Sequence, residues 1–128
     1  MEPSLNHSPA RILIVDDEEP IRLLYKTDLE DDGFTVVTAS NAQEALDIVE
    51  DEPLDLIVLD IKMPGMDGIE AMQKIVGMKK NIPIIINSAY PHFKDSFMTW
   101  VADAYVVKSS NLQELKDKIR EVLSQPKK

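Results

Sequence analysis

Five residues of this 128-residue chain have the types and positions to do chemistry: Asp16 and Asp17, Asp60, Ser88 and Lys108. Each follows a short apolar run, at residues 11–15, 54–59, 84–86 and 104–107 in turn. In an open α/β sheet the carboxyl ends of the strands face a crevice lined by loops, and ligands collect there. Three carboxylates gathered in one crevice repel one another unless a cation sits among them. An all-oxygen donor set favours Mg²⁺, which is held by one or two carboxylates and keeps several waters. A lysine at the opposite rim suits a phosphate oxygen, and a serine hydroxyl adds a neutral donor. The set reads as a site for a transferring phosphoryl group, where positioning and charge neutralisation supply most of the catalysis.

The elements that must position these residues follow from the periodicity. Continuous apolar runs without polar alternation, such as Ile12-Leu13-Ile14-Val15, suit parallel strands covered on both faces. The pattern predicts strands at 11–15, 34–39, 54–59, 84–86 and 104–107. Pro20 opens a first helix, where its missing N–H costs nothing, with Ile21, Leu24, Tyr25 and Leu29 as its stripe and Gly33 as its stop. Ser40-Asn41 caps a second helix over 42–50, with Ala45, Leu46 and Val49 inward. Ile69, Met72, Ile75 and Val76 mark a third over 69–79, and 91–101 is a weakly amphipathic fourth carrying Phe93, Phe97, Trp100 and Val101. Ser109-Ser110-Asn111 caps the last helix, whose stripe of Leu112, Leu115, Ile119, Val122 and Leu123 is the clearest in the chain. Five strands alternating with five helices predict a doubly wound, three-layer α/β/α domain with a parallel sheet.

The composition narrows the partners. With 14 Lys+Arg against 23 Asp+Glu the formal charge is −9, which argues against direct binding to nucleic acid or an anionic membrane. The chain has no cysteine, which excludes disulfides and thiolate metal sites. No apolar run approaches the roughly 18 to 20 residues that cross a bilayer, and the amino terminus lacks a secretion signal, so a cytoplasmic protein is the expectation. Residues 1–10 read as a flexible leader, 11–124 as one domain, and 125–128 as a tail or the start of a linker.

The four strand-end motifs carry a resemblance. Ile-Leu-Ile-Val-Asp16-Asp17-Glu18, Leu-Ile-Val-Leu-Asp60-Ile-Lys-Met-Pro-Gly-Met-Asp-Gly68, Pro-Ile-Ile-Ile-Asn-Ser88-Ala-Tyr and Ala-Asp-Ala-Tyr105-Val-Val-Lys108 stand in order. Over Arg11 to about Leu123 the sequence resembles the receiver domains of two-component response regulators. The resemblance implies the flavodoxin-like strand order 2-1-3-4-5, for which a member of this family is a standard example. It also implies that Asp60 accepts a phosphoryl group from a histidine kinase or a histidine phosphotransfer protein. Asp17 and Asp60 would ligate Mg²⁺ directly, Asp16 through water, and the Lys62 backbone carbonyl would complete the protein ligands. Lys108 would pair with a phosphoryl oxygen, Ser88 would bond the phosphoryl group, and Tyr105 would turn inward as that hydroxyl shifts. The surface from the fourth strand to the fifth would then change to control an effector protein or output domain. The face of the fourth helix, fifth strand and fifth helix is the implied dimer surface. The chain would be an autocatalytic acceptor with slow self-dephosphorylation, not a turnover enzyme on external substrates.

One departure from the family stands out. Such domains commonly follow the lysine with a cis proline, whereas Ser109 follows Lys108 here. A cis bond before another residue costs about 2.5 to 4 kcal/mol, so either the bond is trans or local contacts compensate. Two rival readings remain at this level. One is a receiver-like interaction module that is not phosphorylated. The other is an Mg²⁺-dependent hydrolase with an aspartyl phosphate, which generally carries an acid two positions after the nucleophile, where this chain has Lys62. His7 and His92 sit in loop-like settings and read as ordinary surface residues, and the methionines of the third helix as core filler.

Overall fold

The computed structural model describes residues 9–61, 68–78, 80–89, 102–109 and 111–125. They form strands β1 (Arg11–Val15), β2 (Thr35–Ala39), β3 (Leu56–Leu59), β4 (Ile84–Ser88) and β5 (Ala104–Val107). The helices are α1 (Glu19–Asp31), α2 (Ala42–Asp51), α3 (Gly68–Gly77) and α4 (Gln113–Leu123). All neighbouring strands run parallel in the order β2-β1-β3-β4-β5. The layering is the one the periodicity predicts, and the strand order is the one the resemblance implies. Four of the five expected helices are seen, and the one expected over 91–101 lies outside the described residues, as do His7, Lys62 and His92.

Alternation along each strand divides the core in two. Ile12, Ile14, Leu56, Val58, Ile85 and Val106 face Tyr25 and Leu29 of α1 and Leu115, Ile119 and Val122 of α4. Leu13, Val15, Ile57, Leu59, Ile84 and Ile86 face Ala45, Leu46 and Val49 of α2 and Ala71, Met72 and Ile75 of α3. Both faces are thus covered, which is why β1 and β3 contain no polar residue beyond Arg11 at the margin. Arg11 ties that margin down, its amide donating to Asp55 at 2.8 Å and its guanidinium to Glu52 at 2.6 Å.

Local signals explain most boundaries. Asn41 is the N-cap of α2, its side chain accepting from the Glu44 amide at 2.8 Å, while Glu44 reaches back to accept from the Ser40 amide and hydroxyl at 2.6 and 2.8 Å. Those bonds to Ser40 hold the Glu44 carboxyl below its ordinary pKa. Asn41→Ala is expected to lower stability by about 1 kcal/mol in urea unfolding. Gly33, at φ 97°, ends α1 in the left-handed region. The last helix departs from expectation, because its N-cap is Leu112 and Asn111 instead accepts from the Gln113 amide at 2.9 Å.

Two stripe assignments need correction. Leu24 and Val76 are 45% and 47% exposed, and Leu23 beside Leu24 is 64% exposed. On α1 the inward positions are Tyr25 and Leu29, four apart, with Leu24 turned to the solvent side. Among the described residues no helix is long and apolar enough to cross a membrane.

Candidate functional site

The carboxyl ends of the strands bring four of the five sequence-selected residues into one cluster. Asp16 follows β1 and Asp60 follows β3, and the ladders run on through them: the Asp16 amide donates to Ala39 O at 3.1 Å and the Asp60 amide to Val15 O at 3.0 Å. Since Val15 is level with Leu59, Asp16 is level with Asp60. By alternation both side chains share the α1/α4 side of the sheet with Ile14 and Val58. Lys108 enters from the end of β5 on the same side, its amide held by Ser88 O at 2.7 Å. Its ammonium lies 2.7 Å from Asp16 Oδ2 and 3.1 Å from Asp60 Oδ2, with Glu18 Oε1 at 3.8 Å.

Asp16 and Asp60 are buried, at 2% and 5% exposure, whereas Asp17 is exposed at the mouth. Carboxylate oxygens of all three lie within 4.8 Å of one another. One ammonium against three carboxylates leaves excess negative charge at a partly buried point, the electrostatic condition for a cation. The donors are all hard oxygens, a set that suits Mg²⁺. Burial alone would lower the Lys108 pKa, but its hydrogen bond to Asp16 and the charge of Asp60 outweigh that and raise it above the ordinary lysine value. Every peptide bond among the described residues is trans, Lys108–Ser109 included, and Lys108 reaches both carboxylates in that geometry.

Ser88 corrects one boundary. It is the last residue of β4, fully buried, and Asn87 before it also stays in the ladder, level with Val106. Ser88 lies on the α2/α3 side with Ile84 and Ile86, where its side chain is hydrogen-bonded to half-buried Tyr105. Burial raises the Tyr105 pKa, and the bond to Ser88 opposes this in part. The Lys62 carbonyl, expected as a metal ligand, falls outside the described residues, together with the turn Met63-Pro64-Gly65.

The structure adds residues that the sequence did not single out. Arg22 donates to the Asp16 carbonyl at 2.8 Å, and the Glu18 amide donates to Asp16 Oδ1 at 2.9 Å, so the β1–α1 loop is held from both sides. Buried Asn87 donates from Nδ2 to the hydroxyl of Tyr25 on α1 at 2.6 Å. Tyr25 had been placed in an apolar stripe, and the only signal against that was an asparagine ending a run of three isoleucines.

Comparison with known proteins agrees with this arrangement. The family model described as the response regulator receiver domain matches residues 12–120. A probable transcriptional regulator, ycf27, of Guillardia theta is 40% identical over 120 residues, 92% of this chain and 47% of that protein. This chain therefore spans about half the length of such curated relatives. Among solved structures, the response regulator protein TrrA from Thermotoga maritima in complex with Mg²⁺ and BeF is 44% identical, with a TM-score of 0.85 over 88% of this chain and 98% of that one. TrrA in complex with the histidine kinase ThkA gives 45% identity and a TM-score of 0.84, over 90% and 99%. With its fold, its strand-end acids and its sequence all in agreement, the chain belongs to the response regulator receiver domain family.

Proposed function

We propose that this chain is a phosphorylation-activated switch of a two-component phosphorelay, with Asp60 as the phosphoryl acceptor. The observation that carries the reading is the Asp60 carboxylate, buried at the end of β3, grouped with Asp16 and Asp17 and held 3.1 Å from Lys108. An Asp60 oxygen attacks the phosphorus of a phosphohistidine on a histidine kinase or phosphotransfer protein. A P–O bond forms, the P–N bond breaks, and the leaving imidazole keeps the N–P electron pair and takes up a proton. The product is an acyl phosphate.

The residues divide the work by charge. Asp17 and Asp60 would hold Mg²⁺ directly and Asp16 through water, with the Lys62 carbonyl as a further ligand. When bound, that ion neutralises charge on the transferring oxygens. Lys108 exchanges part of its contact with Asp16 and Asp60 for a phosphoryl oxygen. The Ser88 hydroxyl donates to another, which loosens its bond to Tyr105 and lets the end of β4 and the surface towards β5 change. Phosphorylation adds about −1.5 to −2 charge and new acceptor oxygens, enough to bias such a two-state element.

Partners follow from the same reading. TrrA in complex with a histidine kinase, and relatives about twice as long that are transcriptional regulators, support a kinase upstream and an effector or output domain downstream. The receiver unit occupies 11–124, acts in the cytoplasm without itself contacting nucleic acid, and dimerises through a face that includes β5 and α4. It accepts a phosphoryl group and loses it slowly to water, and it turns over no external substrate. Incubation with acetyl phosphate should add one phosphoryl group to the intact mass when Mg²⁺ is present and none when the ion is chelated. Uptake that ignores Mg²⁺, or sustained hydrolysis of many donor equivalents, would contradict it.

A further inference from the structure

The buried pair Tyr25–Asn87 lies beside the carboxylate cluster and takes no part in the mechanism above. Both residues are 3% exposed, and Asn87 Nδ2 donates to Tyr25 Oη at 2.6 Å. An amide and a phenol buried in a core are costly unless they bond each other, and two apolar side chains would fill the same space without that requirement. The position of the pair shows what the polarity acts on. Leu59 is level with Ile86, so Asn87 is level with Asp60 on the adjacent strand, about 4.8 Å away across the sheet. Asn87 shares the face of Ile85, the α1/α4 side, with Asp60, Asp16 and Lys108. The charges of Lys108, Asp16 and Asp60 all act on the Tyr25 hydroxyl, which puts that hydroxyl within the field of the site.

An asparagine in that place has two competing uses. Its amide N–H could donate to the Asp60 carboxylate, and its carbonyl could accept from the Lys108 ammonium, and either would occupy a group the transfer needs. Tyr25 instead takes one of the two Nδ2 hydrogens and so fixes the plane of the amide, which directs the rest of the group. We propose that Tyr25 is a positioning residue for phosphoryl transfer, which acts by holding the Asn87 amide off Asp60 and Lys108. The inference rests on Asp60 being the acceptor. It assigns the α1 helix a role inside the site through a single buried hydroxyl.

The test measures phosphorylation rate against acetyl phosphate concentration, at saturating Mg²⁺, for the wild type, Y25F, N87L and Y25F/N87L, with folded fraction checked by circular dichroism. In Y25F the freed amide turns to Asp60, so the maximal rate falls fivefold or more while the half-saturating donor concentration stays put. N87L removes the competing amide and keeps a rate within twofold of wild type, and Y25F/N87L recovers to the same level. A residue that served only to fill the core would give the opposite order, with the double variant the most impaired. Y25F at the wild-type rate, or Y25F/N87L as slow as Y25F, overturns the inference. If Y25F does not fold, N87L decides alone, and a fivefold loss in N87L overturns it. Failure of the wild type to take up any phosphoryl group removes instead the reading of Asp60, and the inference falls with it.

Discussion

Asp60→Asn is expected to fold as the parent does and to take up no phosphoryl group. The amide has nearly the same shape as the carboxylate, so β3 and its ladder bond to Val15 are retained. Lys108 loses one charged partner at 3.1 Å but keeps Asp16 at 2.7 Å, and Asp16 loses a like charge beside it. These opposed effects leave a net stability change of about 1 kcal/mol or less in urea unfolding. Reactivity responds differently because an amide oxygen cannot form the acyl phosphate. Uptake from acetyl phosphate should fall by more than about 10⁴-fold, the scale seen when an enzymatic nucleophile is removed. Residual uptake at a tenth of the parent rate would place the acceptor elsewhere.

Lys108→Ala is expected to have the largest effect on stability, and its size depends on Mg²⁺. The lysine is the cation that Asp16 and Asp60 share, and side-chain exposures of 3% and 7% leave those carboxylates little water to replace it. Removing one partner from a buried ion pair leaves uncompensated charge and costs about 3 kcal/mol. The vacated site is more negative, so it should bind Mg²⁺ more tightly than the parent, and saturating Mg²⁺ should return much of the lost stability. Urea unfolding with and without Mg²⁺ reads both effects. A variant as stable as the parent in chelator would show that the Lys108 contacts carry little weight.

The same lysine sets a pH dependence for the parent. Its folded pKa is raised above the unfolded value, so folding is favoured by its protonation. Its contribution is fully present below the unfolded lysine value of about 10.4 and is lost as pH rises through that value towards the folded one. From about pH 6 to 9 Lys108 therefore adds no slope to stability.

How much of this was legible in the sequence varied from strand to strand for a physical reason. A parallel strand covered on both faces must be apolar throughout, so the first charge after Ile12–Val15, and after Leu56–Leu59, marks where the chain leaves the core. Asp16, Asp60 and Lys108 were readable on that basis. The rule failed on β4, where Asn87 and Ser88 remain in the ladder although both are polar. They are tolerated there because Tyr25 and Tyr105 satisfy them from opposite sides of the sheet. Partners 62 and 17 residues away leave no local pattern in sequence. Tyr25 fitted the helical period equally well as a core residue, and its hydroxyl becomes informative only once Asn87 is seen beside it. The exposed Leu23 and Leu24 show the converse, since apolar residues adjacent to a stripe cannot be assigned a side from spacing alone.

The central claim concerns one atom group, the carboxylate of Asp60, and borohydride trapping addresses it directly. Borohydride reduces an aspartyl phosphate to homoserine, which peptide mass spectrometry can place at a single position. After incubation with acetyl phosphate and Mg²⁺, homoserine is expected at position 60, and neither at position 16 nor at 17. Homoserine at another aspartate, or none under conditions where the intact mass shows phosphoryl uptake, would contradict the assignment of Asp60 as the acceptor.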